Sequence, residues 1–299
     1  MGFRNFNRTF LSSVFISLFF LSSVSHARLG RRYVTGEMND LLARAEQAVE
    51  QHGADKVLVV FDMDNTLLAM KQSLGSDQWF DWQADLLKKH PESPALVAKD
   101  FGGLLTVQYT LFSLGQMRLT QPDLPSVNQK LRSMGVNQMV LSSRGPETRD
   151  VSLRELKRNG LRFDFNNTSV VEQYVPIDLQ NPEKSCLKAE EVESFKIKEV
   201  RPISVGMGVV LSSGLHKGAI LRSLLCKVPD KYKVVLFADD KLTNIVNMEN
   251  AYIQEQTLLD TFHYTREEKV VAEFHQSEKK EVKTQWDLLK GVFTMIFVQ

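Results

Sequence analysis

The sequence predicts an α/β fold: a Rossmann-like, mostly parallel sheet flanked by helices, with a helical cap inserted after the first strand. Three observations predict it. Residues 57–61, 138–142 and 234–238 are short apolar runs without polar alternation, the pattern of strands buried on both faces. Each run ends abruptly in polar residues, and segments with apolar residues at helical spacing follow the second and third. After the first run the pattern changes to helical periods, and roughly residues 70–133 read as a helical insertion after the first strand.

The 299 residues, 43% of them hydrophobic, suffice for one large or two modest domains with a substantial core. A formal net charge of +1 provides no global field. Composition therefore gives no support for nucleic acid or an acidic membrane as a partner.

Residues 1–27 stand apart. Arg4 and Arg8 precede an apolar core from Phe10 to Val24, and Ser25-His26-Ala27 places small residues where a signal peptidase reads. The expectation is a cleaved signal peptide and a periplasmic or secreted protein, without a stable membrane span after cleavage. The serine-interrupted stretch falls short of the ~20 residues a spanning helix needs. Export also permits a disulfide between Cys186 and Cys226. Spacing does not decide between that bridge and two buried thiols.

Met38 to His52 carries Leu41, Leu42, Ala45, Ala48 and Val49 on one helical face, closed by Gly53. The strand at residues 57–61 then runs into Asp62 and Asp64. Residues two apart on an extended chain share a face, so both carboxylates project together from the strand's carboxyl end. Open α/β sheets place their active sites there, although Asp and Asn also serve as ordinary turn residues. Two acids so close repel one another unless a cation relieves them.

In the insertion, Trp79, Trp82 and Leu86 mark one helix, and Phe101, Leu104, Leu105, Tyr109 and Phe112 another. These stripes read as packing surface, in a segment well placed to act as a lid.

The strand at 138–142 ends in Ser142, followed by Arg144 and by Pro146, which suits the first turn of a helix ending at Gly160. Ser142 is either a turn or cap serine or a phosphoryl-oxygen contact. Arg144 is either a surface charge or a second phosphate contact. Residues 169–177 and 203–211 read as further strands around a polar stretch at 181–198, and Asn166 and Asn167 lie in glycosylation sequons.

Lys217-Gly218 opens a helix with Ile220, Leu221, Leu224 and Leu225 on its apolar face. A lysine in the first turn opposes the helix dipole, a penalty that a bound anion or paired acids would remove. His216 reads as a packing or surface residue. The strand at 234–238 ends in Asp239-Asp240, of which only one faces a site at full strength, and Asn244 opens the next helix. Residues 258–264 read as an edge strand, and 267–293 as one long polar helix. The apolar tail at 292–298 reads as packing or a C-terminal strand.

In this order, Asp62-Met63-Asp64-Asn65-Thr66, Ser142, Lys217-Gly218 and Asp239-Asp240 resemble the four signatures of the haloacid-dehalogenase-like (HAD) phosphohydrolase superfamily, over roughly residues 56–247. The stretch GVVLSSGLHKGAIL, with the leader, resembles a group of exported bacterial HAD-like proteins.

The resemblance implies a Mg²⁺-dependent phosphoric monoester hydrolase acting on a small phosphorylated substrate. Asp62 would be the nucleophile, giving an aspartyl-phosphate, and Asp64 the general acid and base. Mg²⁺ would be held by the Asp62 side chain, the Asp64 backbone carbonyl and Asp239, with Asp240 and Asn244 behind them. Ser142 and Lys217 would bind the phosphoryl group. A phosphotransferase shares the first step. A HAD-fold binding or effector protein, weak in catalysis, is the alternative from another class. Substrate identity and oligomeric state are not legible in the sequence.

Overall fold

Strand Val57–Phe61 shows how the core is built. All five side chains are buried. Val57, Val59 and Phe61 enter a cluster on one side of the sheet, while Leu58 and Val60 enter a second cluster on the other. A strand apolar on both faces has to be covered twice, and the rest of the chain supplies two helical layers. The computed structural model describes residues 30–163, 173–228 and 231–297. The expected leader and both sequons lie outside the described residues.

The strands are β1 (Arg32–Thr35), β2 (Val57–Phe61), β3 (Leu68–Met70), β4 (Met117–Leu119), β5 (Asn137–Ser142), β6 (Gln173–Ile177), β7 (Arg201–Gly206), β8 (Val209–Leu211), β9 (Val234–Asp239) and β10 (Leu258–Tyr264). The helices are α1 (Met38–His52), α2 (Asp77–Lys89), α3 (Phe101–Leu114), α4 (Leu124–Ser133), α5 (Arg149–Arg158), α6 (Pro182–Ser185), α7 (Ala189–Ser194), α8 (Lys217–Leu225), α9 (Leu242–Tyr252), α10 (Glu268–Gln276) and α11 (Lys280–Phe297).

The main sheet has the order β1-β10-β9-β2-β5-β8-β7-β6. Pairings from β1 through to β8 are parallel, and β8–β7 and β7–β6 are antiparallel. Helices α1, α4 and α5 cover one face through Leu41, Ala45, Val127, Leu131 and Leu156. Helices α8 and α9 cover the other through Ile220, Leu221, Ile245 and Met248. The α/β expectation holds, including the burial of the three apolar runs on both faces.

Several expectations are corrected. The strand carrying Asp62 is second in the chain, because the short edge strand β1 precedes it. Strand β10 is interior, since β1 pairs along its outer side. Residues 203–211 form two strands rather than one: Met207 and Gly208 both have positive φ, 49° and 71°, and turn the chain back on itself. The helix expected from Pro146 starts at Arg149, after a single 3₁₀ turn at Pro146–Thr148.

The helical stretch at 70–133 divides in two. β3 and β4 pair antiparallel outside the main sheet, and α2 and α3 rise from this ribbon. Trp79, Leu104 and Leu111 form a separate core with Phe274 of α10 and Val282 of α11. Helix α4, expected within the insertion, packs on the main sheet instead. Helical spacing records that a face is apolar, not which surface it meets. The insertion is thus buttressed from behind by the C-terminal helices.

The polar helix expected at 267–293 is two helices, broken at residues 277–279 where Lys279 takes a φ of 60°. From Lys290 to Phe297 the chain stays helical, with Met295 79% and Phe297 72% exposed, so the described part of the apolar tail, residues 292–297, is neither a strand nor core. No helix among the described residues is long and apolar enough to cross a membrane.

Cys186 and Cys226 form a disulfide with Cα atoms 6.4 Å apart. The bridge closes a 40-residue separation, which a loop-closure account values at about 4 kcal/mol. Thermal unfolding with and without reductant is expected to show a lower Tm for the reduced protein; an unchanged Tm would show that the loop is held by packing alone.

Candidate functional site

The carboxyl ends of β2 and β9 are stitched together before any charged group is considered. The Asp62 N–H donates to the Ala238 carbonyl at 2.8 Å. Thr66, brought back by a tight turn with Asn65 at φ 55°, accepts the Asp240 N–H at 3.0 Å and donates to Asp62 Oδ2 at 3.2 Å. The threonine of Asp62–Thr66 is thereby a structural tie between the two acid-bearing strands, a role the motif alone does not reveal.

Lys217 occupies the first turn of α8, whose N-cap is His216. Gly218 allows this placement: a Cβ there would lie 2.5 Å from the Ala251 Cβ, so α8 can press against α9 only with glycine. The Lys217 ammonium donates to Asp62 Oδ1 and, at 2.6 Å, to Asp239 Oδ2. Burial works against that charge, but Asp239 and Asp62 outweigh it and hold the pKa above the ordinary lysine value. The two acids are what the dipole-opposing lysine pairs with.

Asp239 and Asp240 have different surroundings. Asp239 is wholly buried and accepts from Lys217, from the Lys241 N–H at 2.9 Å and from Asn244 Nδ2 at 3.0 and 3.1 Å. Its oxygens are fully engaged by protein donors. The Asp240 carboxylate accepts no hydrogen bond among the described residues. Asp239, the expected metal ligand, and Asp240, the expected supporting acid, both belong to the carboxylate cluster, Asp239 with protein donors already on it and Asp240 without.

One oxygen from each of Asp62, Asp239 and Asp240 lies within 4.8 Å of the others, a hard, all-oxygen donor set suited to Mg²⁺. Burial pushes the Asp62 carboxyl up to about 7, against the pull of Lys217 and helped by Asp239 and Asp64. Asp240 is raised well above the carboxylate range, by burial first and then by Asp62, Asp239 and Asp77. A cation among them would relieve this repulsion.

Asp64 is held by a group that the sequence left ambiguous. Arg144 grips it with two parallel bonds, Nε to Oδ2 at 2.8 Å and Nη2 to Oδ1 at 2.7 Å. The guanidinium also lies 3.8 Å from the Phe112 ring centre and donates to Ser152 Oγ at 2.9 Å. Arg144 is therefore neither a surface charge nor free for phosphate in this state. Ser142 is buried, and its Oγ accepts the Arg144 N–H at 3.2 Å, so it joins the site through Arg144.

Lys241, next to the acid pair, reaches across to α2 and binds Asp77 at 2.9 Å and Asp81 at 2.8 Å. No sequence signal linked these three residues. They tie the insertion to the end of β9. Between insertion and sheet lies a cavity of about 550 Å³ lined by Asp64, Arg144 and Lys241 on one side and by α2 and α3 on the other.

His216 is an N-cap as well as a packing residue. Its Nδ1 accepts the Ala219 N–H at 3.2 Å and its ring stacks on Phe195 at 4.6 Å. Burial lowers its pKa to about 4. The unfolded chain therefore takes up a proton below about pH 6.5 that the folded chain refuses. Stability is full above pH 6.5 and declines as pH falls toward 4, by roughly 3 kcal/mol at most. His216→Asn keeps a capping acceptor that does not titrate. Urea midpoints at pH 7.5 and 5 are expected to lie closer together in this variant than in the wild type, and an unaltered gap would assign the acid sensitivity elsewhere.

A family model described as "Protein of unknown function (DUF2608)" matches residues 35–295. No curated protein matches the chain.

Proposed function

The chain belongs to the DUF2608 family, which leaves its chemistry to be argued from the site, and we propose that it is an exported, Mg²⁺-dependent phosphomonoesterase of HAD type. One observation carries this reading. Four carboxylates, Asp62, Asp64, Asp239 and Asp240, meet two cations, Lys217 and Arg144, at the ends of β2 and β9. Four negative and two positive charges leave a formal −2, which a divalent cation would cancel.

Asp62 and Asp240, with Asp239 of the same cluster, would hold that ion, and the resemblance adds the Asp64 carbonyl, while Lys217 bridges Asp62 and Asp239. When bound, the ion neutralises the approach of an anionic ester to an anionic nucleophile and polarises the phosphoryl oxygens. Asp62 attacks phosphorus, its carboxylate form favoured by the Lys217 ammonium, and the alcohol departs as the Asp62–phosphate bond forms. Lys217 then balances charge on the transferred group.

Asp64, once released from Arg144 and protonated from solvent, would give the departing oxygen that proton and, left as the carboxylate, would take one from the hydrolytic water. Both of its oxygens are bound to Arg144 at rest, so it can do neither until that grip loosens. An incoming phosphate dianion competes for the guanidinium, and its arrival frees the acid. Arg144 thereby serves the phosphate, as one of its two sequence readings had it, but only by exchange with Asp64. The Cys186–Cys226 bridge supports work in an oxidising compartment, the periplasm or outside the cell.

The test is hydrolysis of a broad panel of phosphomonoesters by the mature protein, with Mg²⁺ and with chelator. Phosphate release that requires the metal is expected. Folded, Mg²⁺-loaded protein that releases none would retire the enzyme in favour of a binding protein with the same fold.

A further inference from the structure

Helix α3 has more apolar surface than its packing uses. Leu104 and Leu111 fill the core that the insertion shares with α10 and α11. Phe101, Leu105, Gln108 and Phe112, spaced four, three and four residues apart, form a second stripe that lines the cavity facing Asp64 and Arg144. Phe112 is buried beneath Arg144, but among the described residues nothing closes the outer half of the stripe: Phe101 is 51% and Leu105 38% exposed.

Within the stripe sits one polar group with an unmet need. Gln108 is 6% exposed. Its Nε2 donates to the Gly75 carbonyl at 2.7 Å, but its Oε1, with no accessible surface, has no partner. A buried acceptor left unpaired is costly; Gln108 itself lines the cavity, and a turn of its amide toward the cavity would let a ligand donor satisfy the oxygen.

Charge sets a third condition. Five carboxylates and three cations line the cavity, and every cation is already paired: Arg144 with Asp64, Arg201 with Glu199, Lys241 with Asp77 and Asp81. Exchange at Arg144 serves one phosphate. Nothing remains for a second anion.

The geometry points to the substrate class: a phosphomonoester whose alcohol is an apolar, ring-sized group bearing a hydrogen-bond donor and no second acidic group. The phosphate lies at Asp62 and Arg144, and the ring lies along Phe101 and Leu105 with its donor toward Gln108. This inference rests on the phosphatase reading and narrows it.

The experiment compares kcat/KM for benzyl phosphate, 4-(hydroxymethyl)benzyl phosphate, glycerol 3-phosphate and 3-phosphoglycerate. All four are esters of simple alcohols, so differences report on the pocket more than on the leaving group. Benzyl phosphate is expected to exceed 3-phosphoglycerate by about 100-fold, and the hydroxymethyl analogue to exceed benzyl phosphate by about tenfold. Leu105→Ser and Phe101→Ser, at exposed positions that leave the fold intact, should each cut the preference for benzyl over glycerol phosphate by about tenfold, through KM. Gln108→Leu should erase the advantage of the hydroxymethyl group. Equal turnover of benzyl and glycerol phosphate, or unchanged ratios in the variants, would overturn the substrate class and leave the phosphatase standing. Release of phosphate from none of the four, nor from the broader panel, would overturn both.

Discussion

Asp62→Asn is expected to abolish metal-dependent phosphate release, by a factor of about 10⁴ or more, as removal of a covalent nucleophile does. The amide keeps the shape of the carboxylate: its single oxygen can still accept from Lys217, and its NH2 can donate to the Thr66 hydroxyl where Asp62 accepts from it, so the strand end should keep its geometry. It cannot attack phosphorus, and it lowers the site's formal charge from −2 to −1, which weakens the divalent cation as well. Stability should change little, because Lys217 keeps Asp239 as its charged partner and the acid removed is one whose ionised form burial already disfavours, with a pKa pushed up to about 7. Kinetics, metal titration by calorimetry and urea unfolding on the same preparation separate these effects. Full activity in a folded Asp62→Asn protein would remove Asp62 as the nucleophile, whatever metal dependence remained.

Lys217→Met carries the second large effect, on folding as much as on turnover. Lys217 is 2% exposed and lies between Asp62 and Asp239, 5% and 0% exposed. Methionine matches the length of the side chain and removes the charge, leaving two buried acids with no cation between them. Breaking a buried ion pair from one side costs about 3–5 kcal/mol. The loss should be smaller in Mg²⁺ than in chelator, because a bound cation offsets the exposed repulsion, whereas the wild type should gain less from the metal. Urea midpoints in the two buffers test this. Equal stability of variant and wild type in chelator would mean that the acids are neutral when unpaired, and that Lys217 is not what keeps Asp62 ionised.

The parts of this arrangement that were legible in the sequence are those set by short-range pattern. Period-free apolar runs declared β2, β5 and β9, and acids two residues apart at the end of β2 declared the shared face. Lys217 stood out because a cation in the first turn of a helix needs an explanation. What was not legible depends on partners distant in the chain. Nothing near Arg144 shows that Asp64, 80 positions away, will take both of its donor faces. Asp239 and Asp240 are chemically identical in sequence, and only Lys217, Asn244 and the Lys241 N–H distinguish the engaged acid from the free one. The edge strand Arg32–Thr35 has four residues and alternating exposure, too little for a pattern to register. The stripe on α3 was legible as apolar, but the open space in front of it was not.

The order of strands also dictates a timetable for assembly. β2 leaves synthesis early, yet its two neighbours in the sheet are β5 and β9, and β1 pairs with β10 near the other end of the chain. No contiguous first half can complete the sheet, and contacts so remote in sequence form slowly. Until residues up to about 239 are available, Asp62 ends a strand with an open flank, and the ammonium that will neutralise it is not yet in place. The centre of the molecule thus waits on β9, and until then the chain is an exposed, unfinished sheet edge of the kind that folding helpers bind.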